Sequence, residues 1–508
     1  MTHGADNRPD GADRTATAAQ MAPHMLRGSI WMIGMRWAIR FIGLASTLVL
    51  VRILSPQDFG IIAIATIVTG LFEIFAETGQ RLALIRHPKL TAEHLNSAWT
   101  MQVLICTGLA ALIFLSAPLA EAYFREPQAG DIVRFLSLRL VFFGVENIGT
   151  IAFRRDLDFR REFRLGLYQK IGAAALTVTL AVVLQSFWAL AIGIVVGQAI
   201  AVVISYVMHP FRPRFSFRHV RELWGFSIWV LIGNVSTYVQ SRVDQIALGR
   251  VTDSTRLGQY TVAMDVATMP TLELALPASK ALFPTYSRLG GDMVELKKAY
   301  LMTLSAVAAI CWSAGAGVAL VSHDFVAVLL GAQWMPVVAV VPWLALSGAV
   351  YALSNTVLTV HQAIGRARRS AIQGWIRVAV MVPLVVLAAQ TGDLERVAQA
   401  QFAASVIFAP LLFASLRPVL RLSFLDVARA NLRPAVATIA MAAAVLALIA
   451  LLAGMHPLPR LLLSVATGAI VFVVVLLGVW RIMGRPPGIE HVVSGALGKL
   501  RPKQASKS

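Results

Sequence analysis

The chain has 508 residues, of which 57% are hydrophobic and only 14% charged, and its mean hydropathy is +0.70. Soluble domains carry about 25% charged residues, so a chain this apolar could not cover a soluble surface. The net charge of +19 fits basic loops between membrane spans; those loops lack the interleaved aromatics that stack on bases, and nucleic acid is not an expected partner. The two cysteines, Cys106 and Cys311, lie inside apolar runs and offer neither a disulfide framework nor a metal-ligand spacing.

Residues 1–25 are polar and read as a disordered cytoplasmic tail. From Arg27 onward, apolar stretches of about 20 residues recur, each long enough to cross roughly 30 Å of hydrocarbon. There are fourteen, centred near 39, 68, 106, 141, 175, 198, 236, 268, 309, 347, 380, 405, 443 and 470; those at 141, 236 and 268 are less apolar. The fold class expected is therefore an all-α polytopic membrane protein of about 14 transmembrane helices. With the N-terminus placed in the cytoplasm, 31 of the 45 Lys and Arg fall in cytoplasmic segments, 7 in outer segments and 7 within spans. That asymmetry puts both termini inside.

Charges within spans are costly and are functional candidates by default. The first span carries Arg36 and Arg40 on one helix face, continued by Gly43 and Thr47. The seventh carries Asn234, Tyr238, Ser241 and Gln245, flanked by Arg242 and Asp244. A shift of 198 residues lays one stripe on the other without a gap, and also superimposes Ser29-Ile30-Trp31 on Ser227-Ile228-Trp229, Arg52 on Arg250 and Gly60 on Gly258. This is an internal repeat. Six spans separate the copies, so both cross the membrane in the same direction, as in transporters whose halves are related by an axis along the membrane normal. The expected organisation is an N-terminal lobe (26–209, spans 1–6), a C-terminal lobe (210–416, spans 7–12), two further helices (417–484) and a basic cytoplasmic tail (485–508). The two stripes are expected to line a central cavity with a cationic wall on the N-terminal side.

Other span charges have a structural reading beside a functional one. Glu73 and Glu77 are four apart in the second span, with Arg81 placed to pair with Glu77; Arg139 and Glu146 are seven apart, on one face of the fourth span. Both sets are read as cavity residues or structural pairs. Lys170, Lys280 and Arg377 are read as snorkelling or structurally paired. Asp265 and Glu273 share the eighth span with Pro270 and Pro277. The histidines, His87, His94, His209 and His219 among them, read as scattered loop residues rather than metal ligands. No phosphate-binding loop, catalytic constellation or large outer loop is present, so no catalytic residue, metal or cofactor is expected, and a membrane glycosyltransferase or polymerase is disfavoured.

RILSPQDFGIIAIA (52–65) resembles the first outer turn of polysaccharide flippases, AETGQRLALIR (76–86) the end of their second helix, and FRRDLDFRREF (153–163) a cytoplasmic loop of the subgroup of colanic-acid exporters. LGQYTVAMDVATMP and LFPTYSRL (257–270, 282–289) resemble their eighth span. The similarity covers roughly residues 27–420. It implies the multidrug/oligosaccharidyl-lipid/polysaccharide exporter superfamily: two six-helix lobes, here with two extra C-terminal helices, in the bacterial inner membrane. The implied substrate is an undecaprenyl-pyrophosphate-linked oligosaccharide, flipped by alternating access, with a polymerase and other assembly proteins as partners besides the lipid bilayer. Arg36 and Arg40 would then bind pyrophosphate, with Arg242 as a third cation. Asn234, Tyr238 and Gln245 would bind sugar hydroxyls, and Asp244 and Asp265 would couple a proton or Na+. A peptidoglycan-precursor flippase and a drug or cation antiporter of the same superfamily are the alternatives.

Overall fold

The computed structural model describes residues 39–76, 84, 87, 90–156, 158–223 and 228–484. The predicted tails, and with them Arg36, Glu77 and Arg81, lie outside these residues. Among the described residues every regular element is a helix. The long ones are α1 (39–53), α2 (Pro56–Ala76), α3 (Ala92–Phe124), α4 (Pro127–Gly144), α5 (Phe159–Leu184), α6 (Phe187–Met208) and α7 (Ile228–Val251). They continue with α8 (Ser254–Ala281), α9 (Met293–Leu320), α10 (Val340–Ala363), α11 (Ala367–Ala389), α12 (Leu394–Leu420), α13 (Phe424–Leu451) and α14 (Pro457–Ile482). Each coincides with one predicted apolar stretch.

Ten of these helices are long and apolar enough to cross a membrane, and eleven if α4 is joined to the short helix that follows it. Of the other four, α1 is described over 39–53 alone, and α4, α7 and α8 are the ones the sequence marks as less apolar. α4 stops at Gly144 and the chain resumes in Ile148–Arg155 at a 62° bend. Glu146 therefore lies in the break, and Arg139 and Glu146 do not share one continuous helix face. α7 and α8 are continuous helices whose apolar pattern is interrupted by Arg242, Asp244, Asp265 and Glu273.

Two compact units form. Among the described residues, the first gathers those up to Leu54 with those of Phe75–Ala117 and Asp131–Phe226; the second gathers Ser55–Ile74, Pro118–Gly130 and those from Ile228 on. In the first unit α5 packs on α6. A Cβ on Gly193 would lie 2.1 Å from the Thr177 hydroxyl, and one on Gly197 2.8 Å from the Ala173 methyl. Small residues four apart let two backbones approach closely where no water drives them together. Partner numbers fall as position rises, so the pair is antiparallel. α1 runs along α5 in the same direction: Ile39 meets Gly166 and Lys170 lies over Gly43, so partner numbers rise together. A parallel first and fifth span is what an alternating chain requires.

Beyond α6 the chain turns extended and is fastened to the start of α3. Asn147 donates to the carbonyls of His209 (3.3 Å) and Phe211 (2.9 Å). The backbone N–H groups of Arg214, Ser216 and His219 donate to Asn96 Oδ1 (2.9 Å), Thr100 Oγ1 (2.9 Å) and Ser97 Oγ (3.2 Å). Side chains on one face of α3 thus supply the partners that an irregular backbone otherwise lacks.

In the second unit α10 is central and packs against α8, α9, α11 and α12. Its apolar core includes Tyr286, Tyr300, Leu304, Val357, Phe408 and Leu412. α13 lies on α9, and α14 on α13; Arg460 at the start of α14 is ion-paired with buried Asp324. The second unit also holds most of α2. Ser55 and Asp58 cap that helix reciprocally, with Ser55 N–H and Oγ donating to Asp58 Oδ2 (2.9 and 2.6 Å) and Asp58 N–H to Ser55 Oγ (3.3 Å). Pro56 takes the first helical position, where its missing N–H costs nothing.

The contact between α2 and α8 is reciprocal. A Cβ on Gly60 would stand 1.7 Å from the carbonyl oxygen of Ser254, and one on Gly258 1.8 Å from that of Pro56. Pro56 and Ser254, like Gly60 and Gly258, are 198 residues apart. Residue i touches j while the repeat mate of i touches the repeat mate of j, the signature of a two-fold relation.

Candidate functional site

Arg40 is exposed on α1. Its charge acts on Lys170 of α5, which is half-buried with its Cε only 3.3 Å from where a Gly43 Cβ would sit. Among the described residues Lys170 has no carboxylate partner. Arg40 of α1 and Lys170 of α5 are thus neighbouring cations on two helices. The sequence reading sets Lys170 aside because it looks at one helix at a time; the signal is the position of Lys170 in the fifth span, which a parallel α1–α5 pair brings beside the first.

The polar face of α7 is already largely engaged. Arg242 Nη1 donates to Gln245 Oε1 at 2.6 Å. Tyr238 donates its hydroxyl to the carbonyl of Ile67 in α2, with its ring against Gly70. The charges of Arg242 and Glu73 both act on Tyr238, so Glu73 belongs with this group. Asn234 is half-buried.

Asp244 is fully buried. It accepts from Tyr260 OH (2.9 Å) and from the Gln245 N–H (2.8 Å), and Tyr260 OH also lies 3.2 Å from Gln401 Oε1. The hydrogen-bond partners of Asp244 are therefore Tyr260 and its neighbour's backbone, while Arg242 bonds Gln245. The resulting network joins α7, α8 and α12. Asp265 is exposed on α8. Arg377 on α11 is a buried cation whose guanidinium lies over Tyr351 (4.3 Å to the ring centre) and Phe408 (5.8 Å), with Nη2 3.3 Å from Ser405 Oγ. Among the described residues the ring faces satisfy the cation without a carboxylate.

The first unit holds a second constellation. His87, His94 and His219 surround Glu222, although the sequence reads these histidines as scattered. They come together because the chain after α6 folds back on the start of α3, a long-range event that no local spacing announces.

Residues 49–339, more than half of the chain, match the family described as "Polysaccharide biosynthesis protein". The lipopolysaccharide biosynthesis protein WzxC of Escherichia coli (strain K12) is 22% identical over 373 residues, covering 72% of this chain and 75% of the relative. The succinoglycan biosynthesis transport protein ExoT of Rhizobium meliloti (strain 1021) is 22% identical over 320 residues, covering 63% and 65%. Among solved structures, the lipid II flippase MurJ in an inward closed conformation has a TM-score of 0.73 at 15% identity, covering 91% of this chain and all of that one. An inward-facing multidrug resistance MATE family transporter has a TM-score of 0.60 at 15% identity, covering 75% and 96%. The fold is that of these two-lobed helical transporters, and the chain belongs to the polysaccharide biosynthesis protein family of flippases and exporters.

Proposed function

We propose that this protein flips an oligosaccharide linked through pyrophosphate to undecaprenol from the inner to the outer leaflet of the bacterial cytoplasmic membrane, by alternating access and without enzymatic chemistry. The observation that carries this reading is the pair of cations on α1 and α5, Arg40 beside Lys170. Two like charges within membrane spans repel and lose hydration; an anion between them offsets both costs. A pyrophosphate is such an anion, and a guanidinium fork and an ammonium are the side chains that hold phosphate oxygens. Arg36, one turn before Arg40 in sequence, extends the same face. On α7, Asn234, Tyr238, Arg242 and Gln245 present amides, a hydroxyl and a cation suited to sugars and acidic groups. Membership of a polysaccharide family supports a glycan cargo, for exopolysaccharide, capsule or O-antigen. The excess of Lys and Arg in alternate loops supports both termini in the cytoplasm.

The driving force in this reading is an ion gradient or the membrane potential, worth about 2.3 kcal/mol per charge per 100 mV. Asp244, buried and bound to Tyr260, is a coupling carboxylate for a proton or Na+, and Asp265 is a second.

The test is flipping in proteoliposomes, with undecaprenyl-pyrophosphate-linked oligosaccharide in one arm and lipid II in another. Hydrogen bonds to charged groups contribute about 1.5–3 kcal/mol each, so the double variant Arg40→Ala/Lys170→Ala should lose at least about 100-fold in rate while inserting normally. A well-inserted double variant that flips at the wild-type rate would sink the assignment. Transport of lipid II in preference to the oligosaccharide would move the cargo to peptidoglycan precursor.

A further inference from the structure

We propose that His87, His94, His219 and Glu222 form a binding site for a divalent transition-metal ion of the Zn2+ class, which clasps the segment after α6 to the start of α3. The four residues come from three separate stretches of the first unit. His87 Nε2 lies 2.8 Å from Glu222 Oε1, His219 Nδ1 3.1 Å from Oε2 and His94 Nε2 3.6 Å from Oε2. One ligand atom each from His87, His94 and Glu222 falls within 4.8 Å of the others. Ligands of a four-coordinate zinc, bound at about 2.0–2.2 Å, stand roughly 3.3 Å apart, so modest closure of this group completes a coordination shell.

The donor set selects the ion. Three imidazoles and one carboxylate, with no thiolate, favour Zn2+ and its neighbours Co2+ and Ni2+ over Mg2+ or Ca2+, which take oxygen ligands. The surroundings orient the donors. His94 Nδ1 lies 2.6 Å from the Thr91 hydroxyl and 3.3 Å from the Thr91 backbone N–H, which donates to it; these contacts fix the ring and turn its Nε2 toward Glu222. His87 Nδ1 is buried with no hydrogen-bond partner, which leaves His87 a nitrogen uncommitted while its Nε2 faces Glu222. The rings of His94 and His219 are stacked 3.9 Å apart, and those of His87 and His94 lie 4.3 Å apart.

The location gives the site its consequence. His219 and Glu222 sit on the connector that leaves α6, whose N–H groups already dock on Asn96, Ser97 and Thr100. A bound ion adds a strong, reversible fastening at the end of that row, and its binding energy adds to the stability of the docked connector by mass action.

The test uses the full-length protein, purified in detergent with a tag free of histidine and stripped with EDTA. Titration with ZnCl2 is followed by calorimetry, and with CoCl2 by visible absorption. The wild type should take up one equivalent of Zn2+, give the absorption bands of four-coordinate Co2+ and melt at a higher temperature with zinc. Glu222→Gln keeps hydrogen-bonding capacity toward the imidazoles but removes the anionic ligand. It should weaken zinc binding at least tenfold and leave the metal-free melting temperature unchanged. His94→Ala and His219→Ala should weaken it as much, and Thr91→Val by about 10-fold, the lower end for an outer-contact residue. A wild type that takes up no stoichiometric zinc, or a Glu222→Gln protein that binds it as well as the wild type, overturns the proposal.

Discussion

In each half of the chain the first helix runs along the fifth, α1 with α5 and α7 with α11, but the two pairs are filled differently. Between α7 and α11, neutral groups satisfy one another. Gln240 donates to Ser236 Oγ (2.9 Å) and to the Gly374 carbonyl (3.1 Å), and Trp375 Nε1 donates to the Ile232 carbonyl (3.2 Å). Between α1 and α5 lies Lys170 over Gly43 with Arg40 close by. The first arrangement closes its own hydrogen bonds. The second brings like charges together inside membrane spans, which costs free energy. The repeat thus supplies one helix pair twice, and the halves have diverged in its chemistry: one copy closes its own hydrogen bonds, while the other sets two cations beside each other, the pair on which the proposed anion site rests.

The repeat itself is most exposed to attack at the Gly60–Ser254 and Gly258–Pro56 contacts. A methyl group at either glycine would overlap a backbone carbonyl at 1.7 or 1.8 Å, and two helices would have to separate. Overpacking typically costs 1–3 kcal/mol; with backbone on the other side, Gly60→Ala and Gly258→Ala should each cost at least about 3 kcal/mol. The costs should be alike, because the contacts mirror each other. They should also be less than additive in the double variant, since the first methyl opens the space for the second. Thermal unfolding of the three purified variants measures this. One silent glycine, or strict additivity, would break the two-fold reading.

This contact also marks what the sequence could tell. Gly60 and Gly258 are visible as a shared residue at a 198-residue offset, and the capped turn beginning Ser55-Pro56 is visible as a local pattern. Helix positions are legible because each apolar stretch reports its own solvent. The partners of Lys170, Asp244 and Arg377 are not, since they depend on which helices become neighbours. The gathering of His87, His94 and His219 was hidden for the same reason, as more than 100 residues separate His94 from His219. The break at Gly144 was foreshadowed only by weaker apolarity near 141. Arg139 and Glu146 do not share the one face their spacing predicts, because the helix ends at Gly144 between them.

α13 and α14 have no counterpart in the first half, so their attachment is a control on the repeat. Arg460 Nε donates to Asp324 Oδ2 at 2.7 Å, and its guanidinium holds the Asp324 carboxyl below the usual carboxylate range. A depressed carboxyl stabilises the fold fully above its unfolded pKa, about 3.9, and the contribution disappears as pH falls through the lower folded value. Removing one partner of a buried pair costs about 3–5 kcal/mol, so Asp324→Asn should lower stability by about 3 kcal/mol between pH 5 and 8. The gap between variant and wild type should close below about pH 4. A gap that persists unchanged in acid would mean that the ion pair is not its source.

The smallest effect separates the two helix pairs directly. Gln240→Ala removes two hydrogen bonds from the α7–α11 pair. Each is worth about 1 kcal/mol net, and the Gly374 carbonyl keeps its place in a helix, so the loss should be about 1 kcal/mol with flipping unaffected. Lys170→Met in the α1–α5 pair should do the reverse. It relieves the repulsion from Arg40 and buries an apolar chain of similar length over Gly43, so the melting temperature should hold or rise while flipping falls. If both substitutions destabilise equally and both leave flipping intact, the two pairs are equivalent packing contacts, and the anion site lies elsewhere.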